Sequence, residues 1–428
     1  MEKINVVTLC SGYDAMTLAL KRLRHDYPQF DFDLLAWSDI DTNAIKAHKA
    51  LHPEFADRNI GDLTKYDFDN WDGVLPVDLL IYSTPCQSVS VAGKRKGMKE
   101  GDDEASSALI WHTRKFIEYL RPQIMILENV KGIVNKRNLP DFHKWQNALA
   151  DLGYTHYTKI LNAQDYGVAQ HRERVFMVSI LGNDRIFEFP KPIPLKKRLK
   201  DYLEQNVDES YYIADDKLKQ ITLSERSIEK NDDNVNQVAN LIPDREGKFA
   251  NPHRGRVYSI EGIAPCMHTC GGGNLEPKIM EPVTCASRKR GDNHNLEVGG
   301  NIANSLTTIN TDSMVIDPET IPLNYYDENG NIRHTQDRIY DCRSISTAIT
   351  TSFMPYIWEL YRVRKITSRE AGRLMDVSDE DIDKIENTGI SKSAMFKLFG
   401  NSIVVSCLYH IFKELFITKS KPQQPTLF

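Results

Sequence analysis

Short apolar runs alternate with longer amphipathic stretches through the first half of the chain. Five runs have the length and composition of buried strands: 4–10, 33–39, 77–83, 123–129 and 173–181. Apolar residues at helical spacing predict helices at 14–27, 42–53 and 108–120. Strands separated by helices imply right-handed crossovers, so we predict an α/β fold with a mostly parallel, doubly wound sheet.

The pattern changes after about Pro194. Residues 216–357 are rich in Asn, Asp, Gly, Thr and Ser and contain only short β-like runs, which predicts a second, smaller, loop-rich β domain. Helical spacing returns at 368–377 and 403–416. We therefore expect three parts, 1–215, 216–357 and 358–428, of which the last returns to the first domain.

A weak repeat runs through the middle part. Its three copies share an Ile in second place and a closing Thr: GIAPCMHT (262–269), NIANSLTT (301–308) and SISTAITT (344–351). Cys266 aligns with Ser305 and Ala348, which favours a position that needs only a small side chain. The alternative is a zinc site with Cys270, but the spacing is not a standard C-x-x-C pair and we expect no metal.

Composition changes this picture little. The 428 residues are 41% hydrophobic and 26% charged, which is ordinary for a globular protein. Seven scattered cysteines do not form a disulfide framework. A net charge of −5 argues against nonspecific coating of nucleic acid but permits a local basic cleft. No apolar run approaches the roughly 20 residues that cross a bilayer, and we expect a cytoplasmic protein that binds no membrane.

Chemistry is expected where the predicted strands end, because ligands bind there in such sheets. Cys86 follows the third run and a proline, a context that suits a nucleophilic thiolate better than a buried filler. Glu128 ends the fourth run, where a carboxyl group can stay protonated and bond a ring nitrogen; capping the next helix is the alternative. Arg172 and Arg174 share one face of an extended segment, which suits a carbonyl or a phosphate.

The first two strand ends favour a nucleoside-bearing cofactor. Gly12 precedes a helix start, which is a weak signal because many such turns need a glycine. Asp39 can accept hydrogen bonds from ribose hydroxyls, although it could equally cap the following helix. With no complete G-x-G-x-x-G sequence, the cofactor need not be a dinucleotide.

Five ordered motifs closely resemble those of the DNA carbon-5 cytosine methyltransferases. They are Pro85-Cys86-Gln87, Glu128-Asn129-Val130, Gln170-x-Arg172-x-Arg174, Ser368-Arg369-Glu370 with Arg373-Leu374-Met375, and Gly400-Asn401-Ser402-Ile403-Val404-Val405. The resemblance covers about 6–181 and 366–412. It implies a Rossmann-like, S-adenosylmethionine-dependent methyltransferase sheet in 1–215, a target recognition domain in 216–357, and a C-terminal segment, 358–428, that completes the catalytic domain.

The resemblance also implies a reaction. Cys86 would add to carbon 6 of a cytosine flipped out of duplex DNA, so that carbon 5 can attack the methyl group of S-adenosyl-L-methionine. Glu128 would contact ring N3 and the exocyclic amine, while Arg174, with Arg172 nearby, would hold O2 and the substrate backbone. Residues 88–101, small and glycine-containing, would close behind the base.

For the cofactor, the resemblance implies contacts at the first strand ends and near the C-terminus. The residues are Ser11, Gly12, Tyr13, Asp39, Ile40, Asp62, Leu63, Pro85, Asn401 and Ser402. Two departures from the family pattern predict a differently built adenine site. The first turn reads Cys10-Ser-Gly-Tyr-Asp-Ala15 where the family has Phe-x-Gly-x-Gly-Gly, and Ile40 replaces the usual aromatic.

Double-stranded DNA is the implied partner, bound by a monomer, with a restriction endonuclease as a candidate partner and a prokaryotic or phage-like source. Two alternatives are a carbon-5 methyltransferase that acts on RNA and a catalytically silent DNA-binding protein. The middle part of roughly 140 residues favours DNA, because reading several base pairs needs such a surface. The intact set of Cys86, Glu128 and Arg174 argues against a silent protein.

Overall fold

The computed structural model describes residues 3–85, 109–183, 185–213, 222–223, 234–242, 253–267, 269, 275–282, 284–290, 293–299, 314–315, 339–340, 356–357 and 361–418. Three of the sequence-based predictions therefore concern residues outside the described part: the nucleophile Cys86, the closing loop 88–101, and two of the three repeat copies. The zinc alternative depends on Cys270, which also lies outside it.

The main sheet confirms the predicted α/β class. Its six strands are β1 (Ile4–Leu9), β2 (Phe32–Ser38), β3 (Leu79–Tyr82), β4 (Ile124–Val130), β5 (Tyr154–Asn162) and β6 (Glu173–Leu181). They lie in the order β2-β1-β3-β4-β6-β5. The first four are parallel to one another, and each was predicted from its apolar run.

The last two strands differ from the prediction. The sequence did not indicate β5, and β6 runs antiparallel to both of its neighbours. Its direction reverses because only the short stretch 163–172 joins β5 to β6, which is too short for a helical crossover. The start of β6 therefore lies at the same edge of the sheet as the ends of the parallel strands.

The helices largely follow the predicted spacing. Helices α1 (Ala15–Asp26), α2 (Thr42–Leu51) and α3 (Leu109–Leu120) were predicted, whereas α4 (Leu139–Ala150) was not. The second prediction ran two residues too far, because the ring of Pro53 cannot continue a helix. The C-terminal part forms α5 (Ser368–Arg373), α6 (Asp379–Glu386), α7 (Lys392–Asn401) and α8 (Val405–Phe416), of which α5 and α8 were predicted.

Helix α8 packs against α1, so this C-terminal helix covers one face of the main sheet. Leu408, Ile411 and Phe412 are fully buried there. Arg22 of α1 also donates to a carboxylate oxygen of Asp376 at 2.5 Å. In the described part of the chain, one stretch, Lys392–Phe416, is long and apolar enough to span a membrane. It consists of two helices, α7 and α8, and most of it is buried inside the protein.

A second, smaller set of β strands confirms the predicted β domain. The largest sheet has the order β16-β10-β9-β8-β7. Its strands are β7 (Thr222–Leu223), β8 (Gln237–Asn240), β9 (Arg256–Ser259), β10 (Lys278–Pro282) and β16 (Tyr361–Lys365). Two smaller sheets contain β11 (Thr284–Arg290), β12 (Asn293–Gly299) and β13 (Met314–Val315), and β14 (Ile339–Tyr340) and β15 (Tyr356–Ile357).

Strand β16 links this sheet to the C-terminal helices. Its Arg364 is fully buried and donates to the carboxylates of both Glu281 on β10 and Glu370 on α5. A buried arginine between two carboxylates fixes both elements, because loss of the arginine would leave the two carboxylates without their counter-charge. The boundaries at 215 and 357 stay a prediction.

Candidate active site

Four strands bring distant parts of the chain to one edge of the main sheet. Tyr82, the last residue of β3, lies between Leu9 of β1 and Leu127 of β4. Because β6 is antiparallel, its Arg174 lies opposite Val130 at the end of β4. The predicted catalytic residues of β4 and β6 are therefore neighbours.

Glu128 and Arg174 form the centre of this edge. The Nε of Arg174 lies 3.3 Å from Oε1 of Glu128, and the two side chains are only 15% and 5% exposed. The hydroxyl of Ser83 donates to the other carboxylate oxygen at 2.7 Å. Burial raises the pKa of Glu128 above its ordinary range, although Arg174 and Ser83 oppose the rise. The carboxyl group is thus oriented from both sides and ready to hold a proton; it caps no helix.

The chain that leads to Cys86 is held at the same place. Asn129 donates from Nδ2 to the carbonyl oxygen of Thr84 at 3.2 Å, and Thr84 is buried. Pro85, the last described residue before Cys86, is exposed. The side chain next to Glu128 therefore fixes the backbone two residues before the predicted nucleophile.

Arg172 lies deeper than Arg174 and is only 2% exposed. Its guanidinium donates to the carbonyl oxygens of Met267 at 2.8 Å, Gly400 at 2.9 Å and Ser402 at 2.5 Å. Three carbonyls from two separate parts of the chain thus share one buried cation. Through these hydrogen bonds, Arg172 holds the segment around residue 267 and the end of α7 against this edge of the main sheet.

The turn after β1 closes on the end of β2. The N–H of Gly12 donates to Oδ2 of Asp39 at 2.8 Å, and Oδ1 of Asp39 accepts from the N–H of Asp41. Asp39 does not cap α2, because Asp41 does so through the N–H groups of Asn43 and Ala44. Burial raises the pKa of Asp39, and the backbone donors oppose that rise.

The space beside this turn is open. Gly12 has a φ of +62°, and a Cβ built on it would meet nothing within 4 Å. Ile40 is 72% exposed beside it. A carboxylate has more acceptor positions than the two that Asp39 uses, so it can still accept from hydroxyls. An open turn, a carboxylate and an exposed apolar side chain fit a nucleoside with an apolar face.

The unusual aspartate of the first turn has a structural reason. Asp14 stands in the left-handed region with φ +65°, caps α1 through the N–H of Thr17, and is completely buried. Aspartate tolerates this conformation better than most residues other than glycine. Its Oδ2 lies 3.3 Å from Nε2 of His48, whose ring stacks on Trp37 at 3.6 Å. Burial alone would raise the pKa of Asp14, but the contact with His48 outweighs it and lowers the pKa.

We expect Asp14→Ala to lower the free energy of unfolding by about 2–4 kcal/mol, because it removes a cap and places alanine at a positive φ. Asp14→Gly should cost only about 1–2 kcal/mol, since glycine accepts this φ. Urea unfolding measures both. The stabilisation by Asp14 should be present at neutral pH and disappear as the pH falls through its lowered pKa. An alanine variant as stable as the glycine variant would contradict this account.

The other predicted cofactor residues lie at varied depths. Ser11 and Leu63 are nearly buried, and Tyr13 is fully buried with its ring packed on Phe399. Asp62 accepts from the N–H and hydroxyl of Thr64. Asn401, at the end of α7, is exposed, and Ser402 follows it as the C-cap. Tyr13 therefore supports the turn from beneath, whereas Asn401 faces outward.

Sequence reasoning missed several residues that this site contains. Ser83 bonds Glu128, His48 contacts Asp14, and Cys266 lies against Arg172 and Arg174. The position of Ser83, at the end of a predicted strand and three residues before the predicted nucleophile, was a usable signal. His48 and Cys266 gave none, because their partners are distant in sequence.

Comparison with known proteins agrees with this geometry. A family model described as C-5 cytosine-specific DNA methylase matches residues 4–417. Orphan methyltransferase M.SPRI of Bacillus phage SPR is 30% identical over 461 residues, covering 98% of each chain. Type II methyltransferase M.HhaI of Haemophilus parahaemolyticus is 27% identical over 252 residues, 56% of this chain and 72% of that protein.

The fold has counterparts among solved structures. The S. pombe Dnmt2 methyltransferase superposes with a TM-score of 0.55 and covers 97% of this chain and 98% of that one. Its 16% identity supports the fold alone. The family match over nearly the whole chain, the full-length relative and the converging motifs lead to one conclusion. This chain belongs to the C-5 cytosine-specific DNA methylases and is a cytosine-5 methyltransferase.

Proposed function

We propose that this enzyme transfers a methyl group from S-adenosylmethionine to carbon 5 of a cytosine that is flipped out of a specific duplex DNA sequence, through a covalent adduct of Cys86. One observation carries the proposal. Glu128 and Arg174 form a buried pair at the sheet edge where the chain enters the Pro-Cys motif. A positioned acid and a cation suit a ring that gains charge at N3 and O2.

The reaction needs a nucleophile because carbon 5 of cytosine is a weak one. The Cys86 thiolate adds to carbon 6, which forms the sulfur–carbon bond and moves an electron pair toward carbon 5. Glu128 provides a proton at N3 as the adduct forms, and Arg174 holds O2. When bound, S-adenosylmethionine would supply a methyl group on a positive sulfur; carbon 5 would take that group as the methyl–sulfur bond breaks and leaves a neutral thioether. A base such as solvent hydroxide then removes the proton from carbon 5, the electron pair of that bond expels the sulfur of Cys86, and Glu128 takes back the proton from N3, which restores the ring.

Arg172 acts through the protein rather than on the base. Its N–H groups already serve the carbonyls of Met267, Gly400 and Ser402, so few donors remain for a substrate. We assign it a positioning role, and Arg174, whose side chain is more exposed, the contact with the base. The same arginine keeps Ser402 and the adjoining Asn401 beside the cofactor site.

The residues at the first two strand ends would hold the cofactor. Asp39 would accept from the ribose hydroxyls, Ile40 would pack on the adenine, and Asp62 with Leu63 would border the adenine edge. Ser11, Gly12 and Pro85 would line the site, and Tyr13 would support it. The open space beside Gly12 and the 72% exposure of Ile40 support this assignment.

We expect Asp39→Ala to weaken binding of S-adenosylmethionine by about 10- to 100-fold, because it removes charge-assisted hydrogen bonds and releases Gly12. Asp41→Ala is the matched control. It removes the cap of α2 and the ion pair with Lys397, which should cost about 1 kcal/mol of stability and leave the Kd within about threefold. Isothermal titration calorimetry measures both. Equal effects of the two variants would argue against Asp39 as a ribose ligand.

Duplex DNA is the proposed substrate, read by a recognition domain in 216–357 and bound by a monomer inside the cell. The family description and the relative M.HhaI, a type II methyltransferase, support DNA. A partner restriction endonuclease is one context for such an enzyme, and a phage or bacterial source agrees with the relatives.

The test is incubation with labelled S-adenosylmethionine and either duplex DNA or tRNA. We expect label on duplex DNA, at carbon 5 of cytosine. Label on RNA alone would replace the DNA proposal by the RNA one, and no label on either would support a silent DNA-binding protein. Bisulfite sequencing of DNA from cells that express the protein then gives the methylated sequence.

A further inference from the structure

The segment 262–267, which we call the docking segment, lies against the stretch that leads into β6. Ala264 forms a parallel bridge with Gln170, and the N–H of His171 donates to the carbonyl of Ala264 at 2.9 Å. The N–H of Met267 donates to Oε1 of Gln170 at 3.1 Å. The backbone on both sides of Cys266 is therefore fixed, so the position of its side chain is determined by the catalytic domain.

The sulfur of Cys266 faces two guanidinium groups. It lies 3.6 Å from Nη1 of Arg172 and 3.9 Å and 4.0 Å from Nη1 and Nη2 of Arg174. The carbonyl of Met267 lies 3.7 Å away and could accept its proton. Sulfur is a weak acceptor when neutral, but a thiolate beside two cations gains charge-assisted hydrogen bonds. A position that needs only a small side chain would not require this arrangement.

The sulfur of Cys266 contributes negative charge beside Arg172 and Arg174. Burial alone would raise the pKa of Cys266, but Arg172 and Arg174 outweigh it and lower the pKa below the ordinary value. Glu128, the other acidic group at Arg174, has its pKa raised. While Glu128 holds the proton that it gives to N3, Arg174 lacks part of its counter-charge. A thiolate at Cys266 keeps the two arginines compensated in that state.

We propose that Cys266 is a positioning residue, whose sulfur holds Arg174 in the orientation in which its guanidinium contacts Glu128. Binding of the docking segment to the main sheet therefore affects the pair of Glu128 and Arg174. This rests on the proposed function of Glu128 and Arg174. It also gives the recognition domain a direct contact with the catalytic pair. If the recognition domain moved so that the docking segment left Gln170 and His171, the sulfur of Cys266 would move away from Arg174. The guanidinium of Arg174 would then be less well oriented.

The activity of two variants distinguishes a positioning role of Cys266 from that of a small side chain that only fills space. We expect Cys266→Ala to lower kcat by about tenfold with the KM for S-adenosylmethionine unchanged, because a misdirected Arg174 affects the chemical step. Cys266→Ser should recover part of the rate, since a hydroxyl also accepts from a guanidinium, and the rise of its rate with pH should differ from that of the wild type because only the Cys86 thiol still ionises. Wild-type rates and pH profiles in both variants would overturn the proposal.

A second measurement does not depend on methyl transfer. Alkylation by iodoacetamide across a pH series, followed by peptide mass spectrometry, reports ionisation of Cys266 itself. We expect its midpoint below that of the same peptide in urea, and Arg174→Gln should raise it. Cys407, a buried thiol whose pKa is raised, should stay unlabelled in the folded protein. An unshifted midpoint, or one that Arg174→Gln leaves unchanged, would refute the contact, whereas absence of methyl transfer by the wild type would refute only the proposed function.

Discussion

Cys86→Ala should abolish methyl transfer, a loss of at least about 10⁴-fold, because without a sulfur on carbon 6 the ring does not become nucleophilic at carbon 5. Binding of duplex DNA should stay within about tenfold, since the substitution removes a single sulfur atom and leaves every basic side chain of the protein in place. A filter assay with labelled cofactor measures transfer, and a gel shift measures binding. Retained turnover would exclude Cys86 as the nucleophile.

A duplex that carries 5-fluorocytosine gives a direct test of the adduct. Fluorine on carbon 5 cannot leave as a proton does, so the enzyme should remain covalently attached after one transfer and migrate with the DNA on a denaturing gel. Cys407→Ala is the matched control. Cys407 lies buried on α8 with a pKa far above neutrality, so its loss should leave trapping intact. An adduct that peptide mapping finds at another cysteine would contradict the mechanism.

The strands that the sequence predicted well share one property. Strands β3 and β4 and most of β1 are short apolar runs buried on both faces, so composition alone indicates them. Strand β5 lies at the edge of the sheet and has exposed residues near its centre, Lys159 and Ile160 among them, so no apolar run marks it. The direction of β6 depends on which strand it pairs with, and a local pattern contains no information about that.

The same limit applies to the candidate site. The resemblance predicted that Glu128 and Arg174, with Arg172 nearby, would face one base, and the structure pairs Glu128 with Arg174. The residue pattern alone did not distinguish Arg172 from Arg174, which stand two residues apart on one face. Their difference comes from carbonyls at Met267 and Gly400, about 100 and 230 residues further along the chain. Long-range partners, rather than local sequence, decide which arginine is left to face a substrate.

Glu128→Gln should lower kcat by about 10²- to 10⁴-fold, the range expected when a positioned proton donor is lost. Glutamine keeps the shape and can still accept from Ser83, so the effect reports the proton rather than packing. Stopped-time assays across pH measure it. The raised pKa of Glu128 means that its proton persists to higher pH than on an ordinary glutamate. The wild-type rate should fall as the pH rises through that pKa, and the variant should lack this fall.

Glu128→Gln should lower kcat without lowering the free energy of unfolding. A carboxyl group whose pKa is raised on folding contributes stability below its unfolded pKa, and this is lost as the pH rises through the folded pKa. Glu128→Gln lacks that loss, so at pH 8 it should unfold in urea no earlier than the wild type. Glu173→Gln is the matched control: its carboxylate pairs with Lys131 on the surface, and both rate and stability should stay nearly unchanged. A Glu128→Gln enzyme that is as stable as the wild type and fully active would remove Glu128 from the chemistry.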